Sequence, residues 1–404
     1  MSRGLLVVAL AVACAAPAFA VELPAGTTLA IRLTTRVSSQ TSRPGDFVGA
    51  VLIAPVEIDG QPALPAGSTL PGVVRETGKR EGRASLRLDF PELVDDAGRA
   101  LPMKTRVLAV DDSRESVAAD GRIVGLKPIR PMPSRFVALL MLASYAHPVA
   151  LLSFEAGRLA MRAAERAGID YPPGVELTLA LDGPLEIQPL PAQPPRELDP
   201  ALVTLARTLP LRTRAARLQR DSDLTNLLLV GSQAQVENAF VEAGWTRARP
   251  MCLRARLHGL LALATKRAYK PAPVSRLELE SRPPDLVFEK QNNTLTKRHH
   301  VRIWLRSEDT LGEPVWLGAA THDIGLNFDR HDHVITHRIE GHIDRERDKI
   351  VNDLALTGRV VTASLVDRPD APLRSRNATG DAWETDGRMA VVVLRRAPAG
   401  PGQD

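Results

Sequence analysis

Cysteine is almost absent. It occurs at Cys14 and Cys252 in 404 residues, and Cys14 lies in an apolar N-terminal stretch. If that stretch leaves as a signal peptide, one thiol remains and an intramolecular disulfide is excluded. Aromatic residues make up 4% of the chain, so the interior must be filled with Val, Leu, Ile and Ala instead of large rings. A dominant charge is missing too: 52 basic and 47 acidic residues leave +5, with the signs mixed along the chain. That balance argues against a dedicated nucleic-acid footprint, and no zinc-finger spacing, Gly-rich phosphate loop or RNA-binding signature occurs, so no nucleic-acid partner is expected. There is no HExxH helix and no paired CxxC.

The chain is instead rich in turn formers, with 32 prolines and 28 glycines, which favours strands and turns over a helical bundle. Its length points to two domains plus connectors. Residues 1–20, MSRGLLVVALAVACAAPAFA, combine a basic start at Arg3, an apolar run and a small-x-small ending at Ala18-Phe19-Ala20. This is the layout of a secretory signal peptide cleaved before Val21, which implies a periplasmic or secreted protein, with outer-membrane association open. Cys14 is a poor match to an acylation site, and Cys252, in an expected helix, reads as a small buried hydrophobe.

Three segments repeat one strand entry: LPAGTTLAIRL from Leu23, LPAGSTLPGVV from Leu64 and YPPGVELTLAL from Tyr171. Pro sets the approach, Gly supplies an unusual dihedral, and apolar alternation follows, as in a strand with one buried face. A hairpin is expected around Asp96-Ala97-Gly98. Residues 21–187 therefore read as a β-rich envelope-type domain, a barrel or sandwich, with a helical insertion at 134–168. In order and turn motifs, residues 21–190 resemble the TrbI-like β-barrel of conjugation and type IV secretion machines, which would imply envelope or secretion-system partners. The apolar run at 136–154, FVALLMLASYAHPVALLSF, is long enough to enter a membrane. Pro148 and the amphipathic continuation favour a kinked helix packed on the barrel instead.

A proline-rich linker at 188–199 separates a second unit, 200–396, ahead of a disordered tail at 397–404. Here the pattern alternates: a buried strand at 226–230, a helix opened by a Ser232/Gln235 capping box and closed at Gly244, and an amphipathic helix over MCLRARLHGLLALATKR carrying His258. Further strands and a helix over IDRERDKIVNDLALTG follow. The whole chain is read as α+β, the second unit being a mixed or antiparallel sheet with about three helices. AGW at Ala243, YKPAPVS at Tyr269, DLVFEK at Asp285, RHHVRIW at Arg298, PVWLGAATHD at Pro314, THRIEGHIDRERD at Thr336 and TDG at Thr385 are similar, in order and spacing, to the LssY C-terminal domain. That family is named for a component assigned to type I secretion. Its longer members add DedA-like and phosphatidic-acid-phosphatase-like membrane regions that are not read here, so the resemblance does not imply lipid-phosphatase activity.

The second unit concentrates histidine: His299, His300, His322, His331, His333, His337 and His342, among Asp323, Asp329, Asp332, Asp344 and Glu346. Strand alternation puts Arg298, His300, Arg302 and Trp304 on one face and His299, Val301, Ile303 and Leu305 on the other. The arginine-bearing face is a candidate anion site. Two readings follow. In one, a metal-dependent hydrolase holds a divalent transition metal such as zinc with His300, His322, His337 and Asp323 or Asp344. Arg298, His300, Arg302, His337, Asp344 and Glu346 are then its catalytic candidates. In the other, these groups form a buried polar network, Asp344 caps the last helix, and the protein is a binding or assembly component.

Overall fold

A computed structural model of the chain describes residues 21–58, 61–95, 98–127, 168–188, 197–216, 218–248, 277–294, 296–310, 312–329 and 334–395. The signal peptide, the segment at 136–154 with most of its insertion, most of the linker, the helix expected around Cys252 and His258, residues His331, Asp332 and His333, and the tail lie outside the described residues.

Each Pro-x-Gly entry places its glycine in the left-handed region, at φ +88° for Gly26, +99° for Gly67 and +97° for Gly174. Side chains with a Cβ are disfavoured there, so glycine lets the chain turn into the strand. The first unit contains β1 (Thr28–Leu33), β2 (Phe47–Leu52), β3 (Thr69–Arg80), β4 (Arg83–Asp89), β5 (Thr105–Val110), β6 (Ile123–Val124) and β7 (Glu176–Leu181). They hydrogen-bond in the order β5-β7-β1-β2-β3-β4-β6, continued by Ser116–Val117. Every neighbouring pair is antiparallel. The two ends of this path are consecutive in sequence, so residues 111–115 draw the edges together and the sheet curls into a nearly closed barrel.

Inward positions alternate along the strands, as with Leu29, Ile31 and Leu33 on β1, and each fully buried Leu or Ile contributes roughly 1.5–3 kcal/mol. The hairpin expected around Gly98 is present, Glu92–Val94 pairing with Ala100–Pro102. Packing is close at Gly72, where a Cβ would lie 2.5 Å from the Phe90 ring and 2.7 Å from the Asp89 carbonyl oxygen.

The second unit is a mixed sheet. Its strands are β8 (Leu227–Val230), β9 (Thr246–Arg247), β10 (Leu286–Lys290), β11 (Arg298–Thr310), β12 (Glu313–Asp329), β13 (Val334–Ile339), β14 (Val360–Asp367) and β15 (Arg388–Leu394). The order is β9-β10-β11-β12-β8-β15-β14, with β13 alongside β12. β8 runs antiparallel to β12 and parallel to β15. All four residues of β8 are buried, as a central strand covered on both faces requires. Leu227 and Leu229 meet Val236 and Phe240 of α2 (Gln233–Glu242) and Ile350 and Leu354 of α3 (Asp344–Leu356). Leu228 and Val230 meet Leu202 and Ala206 of α1 (Pro200–Thr208) on the opposite face.

The Ser232/Gln235 capping box is formed in full. The helix α1 was not expected from the sequence; Asp199 caps it through Ala201 N, and Pro200 occupies its first turn. Among the described residues, no helix is long and apolar enough to cross a membrane.

Candidate functional site

The pairing of β11 with β12 sets Arg298 opposite Asp323, His299 opposite His322 and His300 opposite Thr321. Because side chains alternate, His299 and His322 share the face of Val301 and Ile303, toward α3, while Arg298, His300, Arg302 and Asp323 share the face of Trp304. The expected metal set is therefore divided. His300, Asp323 and His337 lie together, and His322 points through the other side of the sheet.

The Trp304 face holds a buried network centred on Asp323. Arg298 Nε donates to its Oδ2 at 3.1 Å, His300 Nε2 lies 3.1 Å from its Oδ1, and His337 Nδ1 is 3.5 Å away. Arg298 also donates to Glu289 at 3.2 Å, and Arg302 to Asp223 at 3.3 Å. Burial would raise the Asp323 carboxyl, but His300, His337 and Arg298 outweigh it and hold Asp323 well below the usual range. Burial lowers both His300 and His337 in spite of that carboxylate. The arginines of the candidate anion site thus already face protein carboxylates, at 3% exposure for Arg298 and 1% for Arg302.

Asp344 belongs to neither cluster. It accepts from Thr385 Oγ1 and from Asp386 N, both at 2.6 Å, and pairs with Arg347 at 3.2 Å. It does not cap α3, whose N-cap position is Ile343, with no side-chain bond to the helix end. His342 and Asp344 line an open groove of about 600 Å³ with Arg374 and Glu384.

The α3 face carries a different constellation, which joins the two units. His299 Nδ1 lies 2.6 Å from Glu346 Oε2 on α3, and its Nε2 lies 2.9 Å from Asp111 Oδ2. His322 Nε2 lies 2.9 Å from Asp112 Oδ1, and its Nδ1 is 3.3 Å from Glu340 Oε2. Burial opposes charge on both rings. The carboxylates prevail, holding His299 well above the ordinary imidazole range and raising His322 to about 9. Burial raises Asp112, only partly offset by His299 and His322, whereas His299 and Lys349 draw Asp111 below its usual range despite its own burial.

Asp111 and Asp112 sit on the segment that closes the barrel. That segment is pinned to the second unit by Asn292, which donates to the Asp111 carbonyl at 3.1 Å, and by Asn293, which accepts from Arg114 N at 2.9 Å and donates to Glu115 at 2.6 Å.

Beside this lies a charged seam. Glu176 of β7 accepts from Arg32 at 2.8 Å, pairs with Lys290 at 2.6 Å and bonds Lys349 of α3. Asp353, one turn on, takes Arg32 at 2.5 Å, Lys290 at 2.9 Å and Trp245 Nε1 at 2.9 Å. Burial alone would raise Glu176; Lys349, Lys290 and Arg32 bring it well below its usual value. Glu346, Lys349 and Asp353 follow one helical face, three and four residues apart. A cleft of about 430 Å³ opens on this junction, lined among others by Asp111, His299, His322, Glu340, Lys349 and Asp353. The sequence had marked His299, His322 and Glu346, but not their barrel partners, 188 residues upstream in the case of Asp111 and His299.

Residues 207–389 match the family model described as "LssY C-terminus". Among solved structures, "Structure of ComB10 of the Com Type IV secretion system of Helicobacter pylori" is similar at 13% identity. The similarity covers 43% of this chain and 93% of that chain, with a TM-score of 0.24. No curated protein matches the chain. The family match takes in the mixed sheet up to the start of β15, α2, α3 and both histidines of the junction, and it agrees with the resemblance carried by the motifs: over residues 207–389 the chain is similar to the LssY C-terminal domain.

Proposed function

We propose that this chain is an exported cell-envelope component that works by binding or assembly, with recognition at the cleft between its barrel and its LssY C-terminal domain. The observation that carries this reading is the charged seam, because its groups come from both units: half-buried Arg32 and buried Glu176 from the barrel, half-buried Lys290 and Lys349 and buried Asp353 from the sheet and α3. A buried ion costs several kcal/mol unless it is paired and hydrogen-bonded. Such a seam suits two units that stay docked and present one cleft between them. The signal-peptide pattern of residues 1–20 supports export to the periplasm or beyond, and secretion-system partners are part of this proposal. A hydrolase built on His300, His322, Asp323 and His337 is less well supported, since those side chains occupy opposite faces of one sheet.

The test is fractionation of a host expressing the full chain, followed by crosslinking in intact cells. The processed chain should appear in the periplasmic or membrane fraction, crosslinked to envelope proteins. An unprocessed cytosolic chain, or a monodisperse monomer that never enters envelope complexes, would overturn the proposal.

A further inference from the structure

Four side chains from two units converge at the head of the cleft. One ligand atom each from Asp111, Asp112, His299 and His322 can be chosen so that all lie within 4.8 Å of one another. The two histidines aim Nε2 at the aspartates and hold Nδ1 against Glu346 and Glu340. In histidine-based metal sites the distal ring nitrogen is characteristically bound by a carboxylate, which fixes the ring and makes it a better donor. Asp112 is 4% exposed, and its Oδ2 is buried with no hydrogen-bond partner, lying 3.6 Å from His299 Nε2. Asp112 also adopts φ +47°, a backbone conformation that few residues other than glycine and Asn or Asp take up.

From this geometry we propose that Asp111, Asp112, His299 and His322 form a binding site for a first-row divalent transition metal, zinc in the first instance, which staples the barrel to the LssY C-terminal domain. This rests on the reading of the cleft as the working surface and names what it binds. Two imidazoles with carboxylates suit zinc-class ions over magnesium or calcium, which take oxygen ligands. The carboxylates of Asp111, Asp112, Glu340 and Glu346 concentrate negative charge that a dication neutralises at one point. The ligands lie on elements already fixed: the histidines by the β11–β12 register, the aspartates by Asn292 and Asn293.

The experiment uses the purified full mature chain, stripped with EDTA, then titrated with Zn²⁺ by calorimetry and with Co²⁺ by visible absorption. Stoichiometric Zn²⁺ uptake, a raised melting temperature and an intense low-coordinate Co²⁺ spectrum are expected. His322→Gln and Asp112→Asn should each weaken Zn²⁺ binding by about 100-fold or more, while His342→Gln, at an exposed position, should bind as the parent does. A parent chain that takes up no Zn²⁺ and leaves Co²⁺ with the spectrum of the aquo ion would overturn the site, as would full binding by both ligand variants. The parent-chain titrations decide the matter even where a variant fails to fold. Loss of metal uptake with envelope crosslinking intact would remove the metal and leave the binding role standing.

Discussion

The rings of His299 and His322 lie stacked across β11 and β12, with centroids 4.0 Å apart and planes 18° from parallel. Two imidazoles so close repel one another when charged, and each is held by a carboxylate at either nitrogen. Since Asp111 and Asp112 come from the barrel and Glu346 from α3, the stacked pair ties three separate parts of the chain together.

Glu346 is the most buried of those carboxylates, 2% exposed. Removing one partner of a buried pair strands the other, at a cost of about 3–5 kcal/mol. Glu346→Ala should lower the urea unfolding free energy by that amount. Glu242→Ala, which breaks an exposed pair with Arg359, should leave the unfolding free energy close to that of the parent, because solvent screens such a pair. Equal losses for the two would contradict the role given to the buried pair.

The seam predicts energetic coupling between the units. Glu176→Gln and Asp353→Asn each leave Arg32, Lys290 and Lys349 with fewer acceptors. Because the two acids share these cations, a double-mutant cycle should return an interaction energy of about 0.5–3 kcal/mol. Additive losses would mean that the two units are not docked through these groups.

Acid should loosen the entry to α3. Burial would raise Asp386, but hydrogen bonds from Arg347 and Arg388 lower it to about 2. A folded value below the ordinary 3.8 means the stabilisation is fully present above pH 3.8 and is lost as the pH falls through 2. Asp386 is partly exposed, so after solvent screening the effect is on the order of 1 kcal/mol. Asp386→Asn should reduce stability at pH 5 and make no difference near pH 1.5, measured by denaturant titration at each pH.

Gly72 offers a test of barrel packing. A methyl group there meets the Phe90 ring and the Asp89 carbonyl, so Gly72→Ala should cost roughly 1–3 kcal/mol. Gly183 has nothing within 4 Å of an added Cβ, and Gly183→Ala should be close to neutral. A neutral Gly72→Ala in thermal unfolding would refute the close approach.

What could be read from the sequence was local. The three turn glycines, the Ser232/Gln235 box, and the opposed faces of Val301–Ile303 and Trp304 follow from dihedral preference, capping and strand period, each decided within a few residues. The signal for α1, Asp199 before Pro200, is equally local but adjoins a proline-rich run that argues for a connector. Grouping His322 with His300 fails because register decides which histidine stands opposite which, and register depends on partners elsewhere. The aspartates opposite His299 and His322, and the Glu176–Lys349 contact across 173 residues, carry no local mark at all. They are ordinary loop and strand residues until the two units meet.

The placement of β8 beside β15 bears on the order in which this molecule is built. Its hydrophobic centre joins Leu227–Val230 to Ala390–Val393, so the middle of the sheet must wait for almost the last stretch of polypeptide to arrive. Until then the second half has no finished interior, so a chain cut short of residue 390 would leave Leu227–Val230 without a neighbour on one side.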